Sequence, residues 1–275
     1  MTLELIDTHC HLDLVQDAAE AVLARAQAAG VQACLSVGTT VESSRANVAL
    51  ARRIPMVRAA VGIHPHDADA VTEEALAAID RLAEDPVVAA IGEVGLDAYR
   101  RHASPEAQAR VLRAFVAMAQ RRQRPLVLHC REAHEPLLAL LRETAQPPVR
   151  GVLHCASGPP AFIESALALG LHISFAGNVT FPNAGAVRDL VPLVPENRLL
   201  LETDAPFLAP QPVRGQPNEP AYVAHTAAVV AALRQMSVEA LSALTSRNAR
   251  QLFGFPHDEP AKRRCEDVGN RPSTS

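Results

Sequence analysis

The fold of this chain is decided by residues 5–11, Leu-Ile-Asp-Thr-His-Cys-His, an apolar run that ends in two histidines one residue apart. The run predicts a first β-strand, and side chains two positions apart on a strand point to the same side. The imidazoles of His9 and His11 are therefore expected to converge at the end of this strand. Imidazole nitrogen is a ligand for first-row transition ions, so the pair indicates half of a metal site, although a polar β-turn would read the same way.

Short apolar runs of this kind alternate with Ala-, Leu- and Arg-rich stretches of helical period along the whole chain. The predicted strands are Leu5–Thr8, Ala33–Val37, Val57–Val61, Val87–Ile91, Leu126–Leu128, Gly151–Leu153, His172–Ser174 and Arg198–Leu201. The predicted helices are Ala18–Ala29, Val41–Arg53, Thr72–Ala83, Pro105–Arg122, Glu132–Glu143, Pro160–Leu169, Ala184–Leu190, Glu219–Gln235 and Val238–Leu252. Eight strands, each followed by a helix, in 275 residues predict an α/β protein of the (β/α)8 TIM-barrel type.

An open, doubly wound sheet is the competing architecture. It would place a glycine-rich phosphate loop after an early strand, but Gly62, Gly92 and Gly95 form neither GxGxxG nor a P-loop. Residues 1–256 are therefore expected to form a single barrel domain. Gly254 and Pro256 should end the last helix, and residues 257–275, which lack apolar periodicity, are expected to be a disordered tail.

The composition is that of an ordinary globular protein, with 48% hydrophobic residues and a formal net charge of −4. This balance excludes a global basic field that would hold nucleic acid non-specifically. The five cysteines are odd in number and have no CxxC spacing, which argues against a disulfide framework or a zinc ribbon. The chain starts without a signal-like segment and has no run of membrane-spanning length. We expect a cytoplasmic protein without membrane contact, and a monomer.

Metal-ligand side chains recur where the predicted strands end, which is where a (β/α)8 barrel builds its active site. Each has an ordinary explanation when it is taken alone, as a partly buried histidine or a helix-capping carboxylate. Together they must point into one mouth, where unpaired charge would be costly to bury. The predicted metal ligands are His9, His11, Glu93, His129, His154 and Asp204.

Six ligands exceed what one catalytic ion with an open position takes, so the set predicts two divalent ions. Glu93 is the natural bridge between them. His9, His11 and Asp204 would complete one site, and His129 and His154 the other. Two ions about 3.5–4 Å apart can lower the pKa of a water molecule between them. The Asp204 carboxylate is expected to accept a proton from this water. Asp204 and Glu93 are therefore the predicted catalytic residues.

Eight segments of the chain resemble the TatD family of metal-dependent deoxyribonucleases in the family's own order. They are residues 9–11 (HCH), 62–66 (GIHPH), 92–97 (GEVGLD), 129–133 (HCREA), 154–155 (HC), 174–177 (SFAG), 201–206 (LETDAP) and 214–220 (RGQPNEP). The resemblance implies a phosphodiesterase barrel that commonly acts as a 3′-to-5′ exonuclease on DNA. It also implies the same six ligands, with Mg, Mn or Zn as the ion.

Three further side chains are candidates for substrate binding. His64 and His66 follow the third strand and could contact a phosphate, or could instead hydrogen-bond loop carbonyls or orient the metal ligands. Arg131 lies two residues after His129 and could hold a phosphate bidentately, or could form a salt bridge with Asp204 or Glu202. Cys10, Cys130 and Cys155 neighbour ligands and are expected to be small core residues.

Aromatic residues are few, with no Trp, two Tyr and seven Phe. Phe175, Phe181, Phe207 and Tyr99 lie on or near the expected barrel-top loops, where at least some should be buried core. A small stacking platform and an acidic chain fit an enzyme that holds a DNA strand end or a short oligonucleotide, rather than one that tracks along a duplex.

Three other functions are compatible with parts of this pattern. An amidohydrolase or lactonase acting on a small molecule would share the histidines and the final aspartate, but many binuclear members bridge their metals with a carbamylated lysine on strand four. The single lysine of this chain is Lys262, and strand four supplies Glu93. A deaminase, usually mononuclear, would leave Glu93 unexplained. A non-catalytic metal-binding protein would be expected to have lost ligands, and none is lost.

Overall fold

The computed structural model describes residues 3–256, which form one eight-stranded parallel sheet with its strands in chain order. The strands are β1 (Leu5–Cys10), β2 (Val31–Val37), β3 (Val57–Val61), β4 (Val88–Asp97), β5 (Leu126–Arg131), β6 (Gly151–Leu153), β7 (His172–Phe175) and β8 (Leu199–Leu201). A bridge between Cys10 and Ala205 connects the last strand's end to the first. The predicted TIM barrel is confirmed.

The helices surround the sheet. They are α1 (Ala19–Ala28), α2 (Val41–Arg53), α3 (Glu73–Leu82), α4 (Pro105–Arg122), α5 (His134–Thr144), α6 (Pro160–Ala168), α7 (Gly185–Leu190), α8 (Val223–Leu233) and α9 (Val238–Phe253). Side chains of Thr40, Thr72, Ser104 and Ser237 accept hydrogen bonds from the first turns of α2, α3, α4 and α9. Gly254, at φ +70°, ends α9 as predicted.

Two helices begin later than their sequence predicts. Glu132 has a φ of +53°, which no right-handed helix allows, so α5 starts at His134. Glu219 has an extended backbone, and Pro220–Tyr222 form a short 3₁₀ turn before α8 begins at Val223. Proline has no N–H to donate, so it suits the first turn of such a segment.

β4 is the element that differs most from its predicted bounds. The strand was expected to end at Ile91, but it continues to Asp97 and is buried throughout, so Glu93 lies within it. Gly95 makes this possible: its φ is +152°, and a Cβ atom there would overlap the carbonyl oxygen of His129 on β5. The close approach of the two backbones brings the ends of β4 and β5 together.

The barrel interior is closed at its amino end. Alternate residues of β2, Ala33, Leu35 and Val37, belong to an inner cluster that also includes side chains from other strands. Phe253 and Phe255, from the end of α9 and just beyond it, pack into the same cluster. Apolar side chains therefore fill the barrel interior at the amino ends of the strands. Polar side chains lie at the other end of the barrel, where the strands have their carboxyl ends.

Within residues 3–256 no single helix has both the length and the apolar composition to cross a membrane, although the bent pair Pro220–Leu233 and Val238–Phe253 meets these criteria when taken together. The predicted tail, residues 257–275, lies outside the described residues, as do Lys262 and Cys265.

Candidate metal centre

The six predicted ligands meet in one place, at the carboxyl end of the barrel. A cavity of about 730 Å³ opens there, and His11, Glu93, His129, His154 and Asp204 line it. His9 lies fully buried beside them, with its ring stacked on that of His154 at 4.0 Å between centroids. The prediction that these residues share one mouth therefore agrees with their positions.

One half of the centre faces the Oε2 atom of Glu93. The Nε2 atoms of His9 and His11 lie 3.5 and 3.7 Å from it, and 3.2 Å from each other. The Oδ1 atom of Asp204 lies 3.7 Å from the first nitrogen and 3.5 Å from the second. Four donor atoms from β1, β4 and the end of β8 thus surround a common point.

Backbone contacts between the ends of β1 and β8 set this arrangement. The amide of Asp204 donates to the carbonyl of His9 at 2.8 Å, and the amide of His11 donates to that of Ala205 at 2.7 Å. Asp204 has a φ of +59°, in the left-handed region that aspartate tolerates better than most residues. A strained backbone held by two strand contacts is typical of a position where a side chain must point in one direction.

Asp7 ties the same strands together one layer below. Its Oδ1 atom accepts hydrogen bonds from the amides of His9 (3.2 Å) and Thr203 (2.9 Å), and its Oδ2 atom accepts one from the Thr203 hydroxyl at 2.6 Å. Burial raises the pKa of Asp7 to about 8, against the effect of these hydrogen bonds. No pattern in the sequence points to this residue.

The other half of the centre faces the Oε1 atom of Glu93. The Nδ1 atom of His129 lies 2.8 Å from it and the Nε2 atom of His154 lies 3.0 Å from it. These two ring nitrogens are 3.4 Å apart. Each carboxylate oxygen of Glu93 therefore faces its own pair of histidines, as expected of a bridging residue.

Acceptors on the outer side fix the ring tautomers. His11 donates through Nδ1 to the carbonyl of Val37 at 2.8 Å, which leaves its Nε2 lone pair directed at the centre. His129 donates through Nε2 to the Oδ2 atom of Asp97 at 3.0 Å, which leaves its Nδ1 lone pair directed at Glu93. In both neutral rings a lone pair points at carboxylate oxygen.

Two orienting carboxylates were missing from the predicted site. Asp97 ends β4 and contacts His129, whereas the buried Glu202 follows β8, with its Oε1 atom 3.4 Å from Nδ1 of His154. The same Glu202 oxygen accepts a hydrogen bond from the amide of Cys155 at 2.7 Å. Their signal was available in the sequence, because each is a carboxylate at a strand end next to a proposed ligand.

The buried carboxylates and histidines of the cluster shift one another's pKa values. Burial acts to raise the pKa of Glu93, yet the surrounding histidines hold it well below its usual range. Burial acts to lower the pKa of His11, but Asp204 and Glu93 raise it to about 9, and carboxylates likewise raise that of His154. Positive charge at the positions between these groups is what keeps the carboxylates ionised.

The donor set fits divalent metal ions on these grounds. Lone pairs of His11 and His129 face carboxylate oxygens, an arrangement that is repulsive unless a proton or a metal ion lies between them. Nitrogen and oxygen donors of this kind bind first-row divalent ions. Both halves of the centre meet this test.

The two histidines that follow β3 behave differently from each other. His64 accepts a hydrogen bond at Nδ1 from the amide of His66 at 3.2 Å, so its neutral ring carries the proton on Nε2, 3.4 Å from Glu93 Oε1. His66 contacts the Oδ2 atom of Asp97 through Nε2 at 2.9 Å. Of the roles considered for His66, this contact matches the orienting one, because Asp97 also holds His129.

The position of Arg131 does not match one of its two predicted roles, the salt bridge with Asp204 or Glu202. Within residues 3–256 it forms no salt bridge with Asp204 or Glu202, which face His11 and His154. Its guanidinium carbon instead lies 4.0 Å from the ring centroid of Tyr99, and the side chain lines the cavity. Among the same residues its guanidinium group has no carboxylate at ion-pair distance, so its donors are available to a ligand in the cavity.

The prediction for the neighbouring cysteines is correct for two of three. Cys10 and Cys130 are buried apolar residues. The prediction for Cys155 is wrong: it is only partly buried and has a φ of +47°, because it follows β6 and does not belong to the strand. The alternation of side chains between the two faces of a strand does not extend into such a turn.

Of the aromatic residues near the barrel-top loops, Phe175 is buried, whereas Phe207 and Tyr99 are exposed.

Known proteins share this fold and these motifs. The family model described as TatD related DNase matches residues 6–254. An uncharacterized metal-dependent hydrolase, YabD of Bacillus subtilis (strain 168), is 37% identical over 251 residues, 90% of this chain and 98% of the relative. A protein named 3′-5′ ssDNA/RNA exonuclease TatD, from Erwinia amylovora, is 42% identical over 240 residues, 85% of this chain and 93% of the relative.

A solved structure gives the same result. The crystal structure of YJJV, a TatD homolog from Escherichia coli K12, superposes with a TM-score of 0.87 and 32% identity, covering 93% of this chain and all of that one. The family match extends over nearly the whole barrel and includes all six residues of the centre. The chain therefore belongs to the TatD-related DNase family.

Proposed function

We propose that this chain is a binuclear metal-dependent phosphodiesterase that removes nucleotides from the 3′ end of single-stranded DNA. The observation that carries the proposal is the position of Glu93, whose two oxygens face separate histidine pairs. Relatives that match most of this chain are named 3′-5′ ssDNA/RNA exonucleases. Their substrate end and polarity are carried over here as part of the proposal.

His9, His11 and Asp204 would hold one divalent ion, His129 and His154 the other, and Glu93 both. Divalent ions held there would lower the pKa of a bound water and would stabilise the negative charge that develops during a displacement at phosphorus. Asp204 is placed to accept a proton, because its side chain reaches the cavity. Burial acts to raise the pKa of Asp204, but His11 and other histidines outweigh burial and lower it. It is therefore ionised at neutral pH.

Two side chains of the cavity are suited to bind the substrate phosphate. His64 presents an N–H from Nε2, as set by the hydrogen bond at its other nitrogen. Arg131 has a planar guanidinium braced against Tyr99 and five donors for phosphate oxygens. His66 supports this set through Asp97, and its side chain also lines the cavity, where it would contact a substrate phosphate.

The test is cleavage of 3′-labelled and 5′-labelled single-stranded DNA with Mg, Mn or Zn. Wild-type protein should release the 3′ label first, as mononucleotide, in the presence of one of these ions. Glu93→Ala and Asp204→Ala should each lower the rate by at least about a hundred-fold. Asp67→Ala is the matched control, because Asp67 lines the cavity without contacting a ligand histidine. Metal-loaded wild-type protein that cleaves no nucleic acid would refute the proposal.

The proposed substrate is a strand end or a short oligonucleotide, since the chain carries a net charge of −4 and offers its phosphate donors only locally. The proposal also takes the enzyme to be a cytoplasmic monomer. The four described cysteines support a reducing compartment, because all are free although Cys10 and Cys34 lie on adjacent strands. Sedimentation of the purified protein tests the oligomeric state.

A further inference from the structure

Large hydrophobic side chains are exposed at only four positions among residues 3–256. They are Leu14 (48% exposed), Tyr99 (51%), Leu193 (37%) and Phe207 (52%). Leu193 precedes β8 and so lies at the amino end of the barrel. The other three follow β1, β4 and β8, at the end where the metal centre lies. We name Leu14, Tyr99 and Phe207 the apolar rim.

Phe207 is held on a rigid turn beside one half of the centre. Its amide donates to the carbonyl of Asp204 at 2.8 Å, and its own carbonyl accepts from Nδ2 of the buried Asn218 at 2.6 Å. Asn218 also donates to the carbonyl of Thr203 at 2.8 Å, so the turn is fixed to the end of β8. The Phe207 ring lies edge-on to that of His11, with 6.0 Å between centroids.

Leu14 adds apolar surface on the same side. Its amide donates to the carbonyl of His11 at 3.0 Å, and both Leu14 and Phe207 line the cavity. An exposed aromatic ring on an immobile backbone loses little conformational entropy when a ligand stacks on it. Nothing in the packing of the barrel requires these side chains to face solvent.

Tyr99 lies across the mouth from Phe207. Its amide donates to Oδ1 of Asp97 at 2.9 Å, and its ring is flanked by the guanidinium groups of Arg131 (4.0 Å) and Arg100 (5.7 Å). The β4–β5 and β8–β1 edges lie on opposite sides of an eight-stranded barrel in chain order. Both arginines line the cavity, as Phe207 does, and they connect it to the Tyr99 ring.

We infer that Phe207 and Tyr99 stack on the nucleobases on either side of the scissile phosphate. This inference rests on the proposed function and gives a physical reason for its single-stranded substrate, because a base within a duplex offers no free face to a side chain. Arg131 joins the two elements, since it stacks on Tyr99 and can donate to the phosphate. A protein-docking surface fits less well, because the polar cavity separates Tyr99 from Leu14 and Phe207, so the three form no continuous patch.

The experiment combines a protein change with a substrate change. Phe207→Ala and Tyr99→Ala are each assayed for kcat/KM on a single-stranded hexamer, and on hexamers in which one nucleotide flanking the scissile bond is abasic. Each variant should lose about five-fold or more on the intact strand, mainly through KM, and the loss should vanish on the hexamer that lacks its own stacking base. Phe207→Trp should retain wild-type kcat/KM, and Leu193→Ala is the matched control for exposed apolar surface.

A binding measurement separates this inference from the proposed function. A hexamer carrying 2-aminopurine near its 3′ end is titrated with protein in EDTA, where no hydrolysis occurs. Quenching by wild type that falls in Phe207→Ala or Tyr99→Ala supports stacking even if metal-loaded wild-type protein cleaves nothing. Equal losses on intact and abasic strands, or quenching and kcat/KM at wild-type level in both variants, would overturn the inference.

Discussion

Replacing Asp97 with asparagine should weaken metal binding at the half of the centre formed by His129 and His154. Asp97 Oδ1 accepts the amides of Tyr99 (2.9 Å) and Arg100 (2.7 Å), so the amide oxygen of asparagine would keep that place. Its NH2 group would then face the Nε2 atom of His129, which at present donates to Asp97 at 3.0 Å. His129 would have to accept there, and its proton would move to Nδ1.

A proton on Nδ1 occupies the lone pair that lies 2.8 Å from Glu93 and that the metal needs. Loss of such an outer partner costs about 10- to 100-fold in metal affinity. This is about 1.4–2.7 kcal/mol. The half of the centre formed by His9 and His11 should be affected far less, because His11 is oriented by the carbonyl of Val37.

Metal titration with Mn²⁺, followed by calorimetry and by metal analysis after gel filtration, measures this effect. Wild type should take up two ions, whereas Asp97→Asn should hold one tightly and the second about 10- to 100-fold more weakly. Asp67→Asn removes the same charge from the same cavity, and among residues 3–256 the Asp67 side chain forms no hydrogen bond or ion pair with a histidine, so this variant should bind as wild type does. Two ions bound by Asp97→Asn with wild-type affinity would refute the tautomer argument.

Three further predictions concern protons and packing. Asp204 and Glu93 outweigh burial and raise the pKa of His11 to about 9, so metal binding at pH 7 should release protons; the calorimetric enthalpy should vary with the buffer's ionisation enthalpy, and a buffer-independent value would contradict this. Gly95→Ala should cost about 1–3 kcal/mol in urea unfolding because of its φ of +152°, whereas Gly185→Ala, at an open position, should cost nothing; equal stabilities would argue against the close strand approach. Burial, and after it the charge of Arg198, lowers the pKa of His172 to about 4, so between pH 6.5 and pH 4 the native state binds fewer protons than the unfolded chain. From pH 7 to pH 5, wild type should therefore lose about 2 kcal/mol more free energy of unfolding than His172→Gln. Equal losses in the two proteins would exclude His172 as the source of this pH dependence.

The barrel could be predicted because its signals are local. Each strand is a short apolar run and each helix has its own period and cap, so counting them gives the architecture without any knowledge of contacts. The errors fall where long-range packing overrides the local pattern. β4 extends to Asp97 because Gly95 lets it approach β5, and no local signal shows that a partner strand lies so close.

The positions of the six proposed ligands were predictable for a related reason, since strand ends in a barrel share one face. The tautomers were not, because they depend on acceptors from distant segments: the carbonyl of Val37 for His11 and Asp97 for His129. The partner of Arg131 could not be foreseen either. Arg131 ends β5, and Tyr99 lies in the loop that follows β4, so their stacking joins residues that are distant in sequence.

If Glu93 bridges two divalent ions, each held by its own histidines, anomalous diffraction from crystals soaked in Mn²⁺ should locate both. We expect two peaks about 3.5–4 Å apart, one between His9, His11 and Asp204 and the other between His129 and His154, with one Glu93 oxygen bound to each. A single peak, or a pair of peaks that Glu93 does not join, would contradict this arrangement.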